Sequence, residues 1–320
     1  MQPFRLPLPI PFPIGPANAY LFTTPEPTLV DCGVNTEESW NALETALAQH
    51  DLTIDQIQHL IITHPHADHM GMAGRIVENS PATVWVSEVA YRWAVDLENM
   101  MQERMDFQHH YLTRIGLFED RDSIVRGMKH ILSFWDEIPT DRVKKFALDD
   151  ILNFGGYEWQ VLYMPGHSNT QTCFYQPDTR QFLAADMLLA RTPAPVLEQP
   201  LDGSLARVPS FPEFMESMNL LETMDIGTIY PGHGELMDDH RGLIQRLRER
   251  IGQRKEECYS LIEAGHHTAA ELVDIMYAYQ PSGFRFSSVS ALIGYLDLLI
   301  TEGRVVEEEI DGICRYVCQV

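Results

Sequence analysis

His59-Leu-Ile-Ile-Thr63 runs directly into His64-Pro65-His66-Ala67-Asp68-His69, an apolar stretch followed by three histidines and an aspartate. The first part has the continuous apolar pattern of a strand buried on both faces. Pro65 disfavours helical backbone at His64, so the run after the strand is expected to be a loop. A loop can turn all four polar side chains inward, whereas helical metal motifs space their histidines four apart. Neutral imidazole and carboxylate together suit a borderline divalent ion such as zinc.

The same theme recurs three times further along. Met164-Pro-Gly-His167-Ser168 follows the apolar run Val161-Leu-Tyr163, Asp186 ends Gln181-Phe-Leu-Ala-Ala185, and His233 lies in Tyr230-Pro-Gly-His-Gly234. Each puts a polar group at the end of an apolar strand, where α/β sheets build their sites. Singly each has an ordinary explanation: Pro-Gly-His is a turn, and Asp186 could cap a helix. An unpaired carboxylate after Phe-Leu-Ala-Ala would nevertheless be expensive to bury. Together the segments offer seven ligand candidates, His64, His66, Asp68, His69, His167, Asp186 and His233. That is enough for two ions, with positions left for water and substrate.

Around these motifs the chain alternates strand and helix, which indicates an α/β fold. Ala19–Thr24 and Thr28–Asp31 read as a hairpin, Asn35 or Thr36 caps a helix carrying Trp40, Leu43 and Leu47, and Ala82–Val86 is another strand. Residues from about 87 to 150 are instead helical by composition. Their Tyr91, Trp93, Met100, Met101, Met105, Phe107 and Tyr111 either line an apolar pocket or pack this block onto the sheets, and packing is the favoured reading. Residues 241–264 form a basic amphipathic helix with Arg241, Arg246, Arg248, Arg250, Arg254 and Lys255. Two more helices and two short strands follow, a winged-helix-like pattern. The expected organisation is a catalytic domain over 1–240 with a helical insertion, then a linker helix and winged-helix-like domain over 241–320.

The His-x-His-x-Asp-His run, the later Pro-Gly-His-Ser, the strand ending in Asp186 and the final Pro-Gly-His-Gly resemble the metallo-β-lactamase-fold hydrolases. Within them the sequence is similar to the glyoxalase-II-like and lactamase-beta-like branch. The resemblance implies a four-layer αβ/βα sandwich, an α/β (α+β) fold with its site along one edge. It implies that His64, His66 and His167 hold one metal, that Asp68, His69 and His233 hold the other, and that Asp186 bridges. Two divalent ions are implied, zinc first, with iron or manganese as alternatives. The activity implied is hydrolysis by a metal-bridging hydroxide, with Asp68 orienting it or passing a proton to the leaving group. The glutathione-binding pattern of glyoxalase II is not found, which counts against a glutathione thioester. The Met- and aromatic-rich block and the lack of basic residues near the motifs favour a thioester, ester or lactone with a bulky apolar acyl group. Alternatives are a metallo-ribonuclease, for which the basic helix speaks, and a mononuclear iron persulfide dioxygenase.

Composition narrows the partners. Across 320 residues there are 46 acidic and 23 basic side chains, a formal charge of −23, with 45% hydrophobic residues. This is a globular balance rather than a disordered one. The acidity excludes an overall basic footprint for nucleic acid. Pro3, Pro7, Pro9, Pro11, Pro13 and Pro16 bar a helical apolar segment at the start, so no membrane association is expected. The five cysteines form no Cys-x-x-Cys pair, which favours reduced thiols and a cytoplasmic location. A small-molecule substrate is expected, and a homodimer is compatible with the basic helix acting as a contact.

Overall fold

The computed structural model describes residues 2–190, 197–281 and 284–319. Its first sheet runs in chain order through β1 (Phe4–Leu8), β2 (Ala17–Phe22), β3 (Thr28–Val30), β4 (His59–Ile61), β5 (Thr83–Ser87) and β6 (Val143–Phe146). The first three strands pair antiparallel, as the hairpin reading requires, and β3 to β6 pair parallel. Parallel neighbours need crossovers. Between β3 and β4 this is α1 (Glu37–Ala48), capped by the Thr36 side chain accepting from Ser39 N at 3.2 Å. Between β4 and β5 it is α2 (Ala67–Met70) and α3 (Ala73–Glu78). The helical insertion forms α4 (Tyr91–Val95), α5 (Leu97–Arg114) and α6 (Phe118–Leu132). Strand β6 falls inside the interval that composition assigned to this insertion, yet it completes the sheet: Val143 and Phe146 are buried while the lysines between them face outward.

The second sheet comprises β7 (Ile151–Phe154), β8 (Tyr157–Tyr163), β9 (Thr172–Gln176), β10 (Gln181–Ala185) and β11 (Thr228–Pro231), with α7 (Ser210–Thr223) between the last two. Strand periodicity sorts its side chains into layers. Tyr20 and Phe22 of β2 face Phe154, Trp159 and Phe174 in the core between the sheets. Ala19 and Leu21, one residue out of phase, join Leu43, Leu47 and Ile76 beneath the helices of the first sheet. In the second sheet Leu183 points inward, and Phe182 and Ala184 point out towards Phe214 and Met218 of α7. The result is the expected four-layer helix–sheet–sheet–helix sandwich. Trp159 anchors its centre, fully buried and stacked on Phe154 at 5.1 Å.

The C-terminal part contains α8 (His240–Glu263), α9 (Ala269–Met276), α10 (Arg285–Thr301) and the hairpin β12 (Val305–Ile310) with β13 (Ile313–Cys318). Leu243, Leu247, Leu292, Leu296 and Tyr316 share one apolar core with Phe182, Phe211, Phe107 and Tyr111. Three helices with a single hairpin do not by themselves establish the winged helix that the sequence pattern suggested. The insertion's Met101, Phe107 and Tyr111 are buried in the cores, so packing accounts for them. Trp93 and Met100 additionally border a cavity of about 30 Å³ with Asn169, Glu198 and Gln199. Among the described residues no helix is long and apolar enough to cross a membrane.

Candidate metal centre

The carboxyl ends of β3, β4, β8, β10 and β11 meet at one edge of the sandwich, and each is followed by a polar residue of the site. After β4 the backbone bends at Thr63 and His64, and His66, with φ of −72° and ψ of 153°, is the N-cap of α2. His69 N and Met70 N then donate to His66 O at 3.0 and 2.9 Å. Asp68 and His69 therefore sit on one helical turn, where the sequence suggested a loop throughout. The proline restricts only the residue before it, so nothing prevents helix from His66 onward.

All seven sequence-predicted residues converge. His66 Nδ1 lies 3.1 Å from His64 Nε2 and 3.0 Å from His167 Nε2. Ligands about 2.0–2.1 Å from a tetrahedral ion are separated by roughly 3.3 Å, so these nitrogens have the spacing of polyhedron edges. On the other side His233 Nε2 lies 3.2 Å from Asp68 Oδ2, and His69 Nε2 lies 3.9 Å from the same oxygen. Asp186 stands between the two groups, with Oδ1 3.5 Å from His69 Nε2 and Oδ2 3.4 Å from His167 Nε2 and 3.5 Å from His233 Nε2. His64–His66–His167, His64–His69–Asp186 and Asp68–His69–His233 each bring one donor atom apiece within 4.8 Å of one another. His69 Nε2, His233 Nε2 and Asp186 Oδ1 are buried without a hydrogen-bond partner. Orphaned donor atoms aimed at a shared space, all imidazole or carboxylate, fit a divalent cation.

Glycine makes the close approach possible. A Cβ on Gly232 would stand 2.0 Å from Asp186 Oδ1 and 2.8 Å from His69 Cε1. Gly166, before His167, has φ +136°, and a Cβ there would meet the Phe214 backbone at 2.5 Å. Both Pro-Gly-His motifs are thus spatial requirements as well as turns.

Sequence reasoning missed several residues that hold the donors. Asp31, at the end of β3 with φ 60°, is buried and accepts from Thr63 N at 2.9 Å and from Thr63 Oγ1 at 2.8 Å. Its Oδ2 also faces His69 Nδ1 at 2.8 Å. Because the Thr63 hydroxyl donates to Asp31, it is left to accept from His64 Nδ1 at 3.0 Å. One carboxylate thereby fixes a proton on Nδ1 of two histidines and turns both Nε2 atoms towards the donor groups. Asn18 donates to Pro231 O at 2.8 Å and Gly234 O at 2.9 Å, and Tyr20 donates to Pro231 O at 2.7 Å, which pins the loop carrying His233. Glu198 accepts from Ser168 Oγ and Asn169 N and faces His66 Nε2. The signal for Asp31 was available, since Thr-Leu-Val-Asp ends an apolar strand just as Leu-Ala-Ala-Asp does. Glu198 carries no comparable signal.

Burial drives the His64 imidazole well below its ordinary pKa, helped by the neighbouring histidines, and takes His167 down to about 4. Both are neutral at pH 7, the state in which imidazole offers a lone pair. Burial opposes the charge on Asp186, but His233, His69 and His167 outweigh it and hold the carboxyl well below the usual range. Burial likewise opposes protonation of His233, yet Asp186 and Asp68 lift it to about 10. The carboxylates thus favour positive charge in this space. Proton and divalent cation compete for the same donors.

Residues 13–233 match the metallo-beta-lactamase superfamily. The chain belongs to that superfamily. The probable metallo-hydrolase YqjP of Bacillus subtilis (strain 168) is 25% identical over 301 residues, spanning 92% of this chain and 91% of its own. The crystal structure of a metallo-beta-lactamase family protein from Thermus thermophilus superposes with a TM-score of 0.81 at 23% identity, covering 99% of both chains. A beta-lactamase domain protein from Burkholderia ambifaria gives a TM-score of 0.82 at 22% identity, covering 98% of this chain and 92% of its own. These likenesses extend past residue 240, so the C-terminal helices and hairpin belong to the shared fold. As a metallo-beta-lactamase superfamily member with a His/Asp cluster at the sheet edge, the chain is a metal-dependent hydrolase.

Proposed function

We propose that this protein is a dinuclear hydrolase of thioesters, esters or lactones. The observation that carries the reading is Asp186, whose two oxygens lie 3.4–3.5 Å from imidazoles of both donor groups. A carboxylate reaching both groups suits two cations, which would repel one another without a shared anion. Two divalent cations, zinc first among them, would supply a water activated near neutral pH and an electrophile for the scissile carbonyl.

The chain's own residues do the rest. His64, His66 and His167 would hold one ion, and Asp68, His69 and His233 the other. The side chains of Asp68 and His66, each 13% exposed, are the most open of these beside solvent, so substrate meets the site there. Asp68 is placed to accept a hydrogen bond from the attacking water and orient it.

Charge placement favours an uncharged reacting group over a phosphodiester. Near the site, Arg92 is engaged by Glu103 and Arg104 by Glu198. In α8, Arg241 donates to Glu222 O and Met224 O, Arg248 pairs with Glu222, Arg254 with Glu257 and Lys255 with Glu302. Cations already paired within the fold have less to offer a nucleic-acid backbone. The full set of donors likewise supports two ions rather than the single iron of a persulfide dioxygenase.

The test is a panel of acyl thioesters, lactones and phosphodiesters against metal-quantified protein. Turnover of thioester or lactone by wild type, lost at least 100-fold in Asp68→Asn together with the ion that Asp68 shares with His69 and His233, is the expected result. Turnover confined to phosphodiesters would overturn the substrate assignment.

A further inference from the structure

Glu198 lies between β10 and α7, outside every motif that marks the site. It is 6% exposed, and a carboxylate so buried needs partners. Oε2 accepts from Ser168 Oγ at 3.0 Å and Asn169 N at 2.8 Å, while Oε1 lies 3.2 Å from His66 Nε2. Arg104 of α5 brings its guanidinium to 3.7 Å from Oε1 and sits over the Trp93 ring at 5.6 Å. Glu198 therefore touches one donor of the first group directly, and grips the two residues that follow a second donor, His167.

The His66 ring decides what this contact does. Its Nδ1 faces His64 Nε2 and His167 Nε2, so Nδ1 is the nitrogen that points into the donor group. A neutral imidazole carries one proton, and a metal-facing Nδ1 puts it on Nε2. Glu198 Oε1 is the acceptor waiting there. Elsewhere in the site the outward-facing nitrogens of three histidines meet a hydroxyl (His64 with Thr63), a carbonyl (His233 with Pro16 O at 3.0 Å) or a carboxylate (His69 with Asp31), while His167 Nδ1 is buried without a partner. Asp31 and Glu198 are thus both carboxylates behind ligand imidazoles, Asp31 behind His69 and, through Thr63, His64, and Glu198 behind His66 alone. A carboxylate behind a ligating imidazole fixes its orientation and raises its basicity.

We propose that Glu198 is the positioning carboxylate of the His64–His66–His167 metal position, and that Arg104 ties it to the helical insertion. This rests on the dinuclear reading above. The insertion then has a role at the centre besides packing: α5 supplies the charge that keeps a buried carboxylate behind His66. Arg104 acts by charge, since 3.7 Å is too long for a hydrogen bond.

Glu198→Gln, Glu198→Asp and Asp31→Asn, with wild type, are stripped of metal and titrated with cobalt(II). Affinity is read by chelator competition and ligand geometry by the visible absorption of the bound ion. Thermal melting of each metal-free protein controls for folding. Glu198→Gln is expected to weaken one of the two ions about 10–100-fold and to shift its absorption, leaving the other at wild-type affinity. Glu198→Asp, which keeps the charge on a shorter arm, should recover part of that loss, and it supplies the measurement should the glutamine variant not fold. Asp31→Asn, which removes the carboxylate behind His69 and, through Thr63, the support of His64, should weaken the ion held by Asp68, His69 and His233 that the Glu198 variants leave at wild-type affinity. Wild-type affinity and absorption for both ions in Glu198→Gln, or in Glu198→Asp where the glutamine variant does not fold, overturns the proposal. If wild type binds a single ion, the dinuclear reading fails separately: loss of that ion's affinity on substitution of Glu198 still supports the positioning role, and unchanged affinity overturns it.

Discussion

Asp31 Oδ2 lies 2.8 Å from His69 Nδ1, and both side chains are buried. The same carboxylate takes the Thr63 amide and hydroxyl, so three donors converge on one buried anion. It acts on the site by deciding where the imidazole protons sit.

Asp31→Asn tests this without disturbing the backbone, because asparagine tolerates the positive φ of 60° at this position. The amide offers one acceptor oxygen where three donors meet, so at least one donor is left unpaired. The expected cost is about 1–3 kcal/mol in stability and a loss of metal affinity of about 10–100-fold. Chemical denaturation and chelator competition measure the two. Unchanged affinity would show that His69 needs no such support.

Gly232→Ala is a steric probe of Asp186. The backbone at Gly232 is not in the left-handed region, so alanine is conformationally permitted, but its Cβ would arrive 2.0 Å from Asp186 Oδ1. The carboxylate must move away from the position between the imidazoles. Elemental analysis is expected to find fewer ions per chain, with unchanged far-ultraviolet circular dichroism. Full metal content would mean that the loop gives way instead.

The ligand candidates were legible because each follows an apolar strand, and a sheet edge is where such strand ends meet. The hairpin of β2 and β3 and the cap at Thr36 were legible for the same kind of reason, since they rest on local periodicity and turn chemistry, whereas the layer order was implied only by the resemblance to the metallo-β-lactamase fold. Glu198 was not, because its meaning depends on Ser168, Asn169, Arg104 and His66, all remote in sequence from it. Strand β6 was hidden for another reason. Val143-Lys-Lys-Phe146 has two buried residues at its ends and lysines between, too short a pattern to stand out beside a long helical block. The helical turn at Asp68 and His69 was hidden by Pro65, whose influence reaches backward and not forward.

Asp186→Asn addresses the shared position. Asparagine keeps the shape but removes the charge that offsets two neighbouring cations, and its amide nitrogen would point a donor at one of the imidazole-lined positions. The expected outcome is loss of at least one bound ion and a fall in activity of about 100-fold or more. Elemental analysis giving wild-type metal content would sink the bridging role.

Glu213 offers a pH dependence independent of metal. It lies in the first turn of α7, with Oε2 buried and without a hydrogen-bond partner. Burial, followed by the charges of Glu198 and Glu216, raises its carboxyl to about 7. In the unfolded chain a glutamate titrates near about 4.3. The folded state therefore holds this proton more tightly, and its contribution falls as pH climbs from about 4.3 towards 7. Below that window both states are protonated and nothing is lost; above it the penalty is complete. Glu213→Gln, a permanent stand-in for the protonated form, should melt close to wild type at pH 4.5 and higher than wild type at pH 8, with the gap opening in between. Melting curves across that range on metal-free protein measure it, and a gap that does not change with pH would remove Glu213 as the cause.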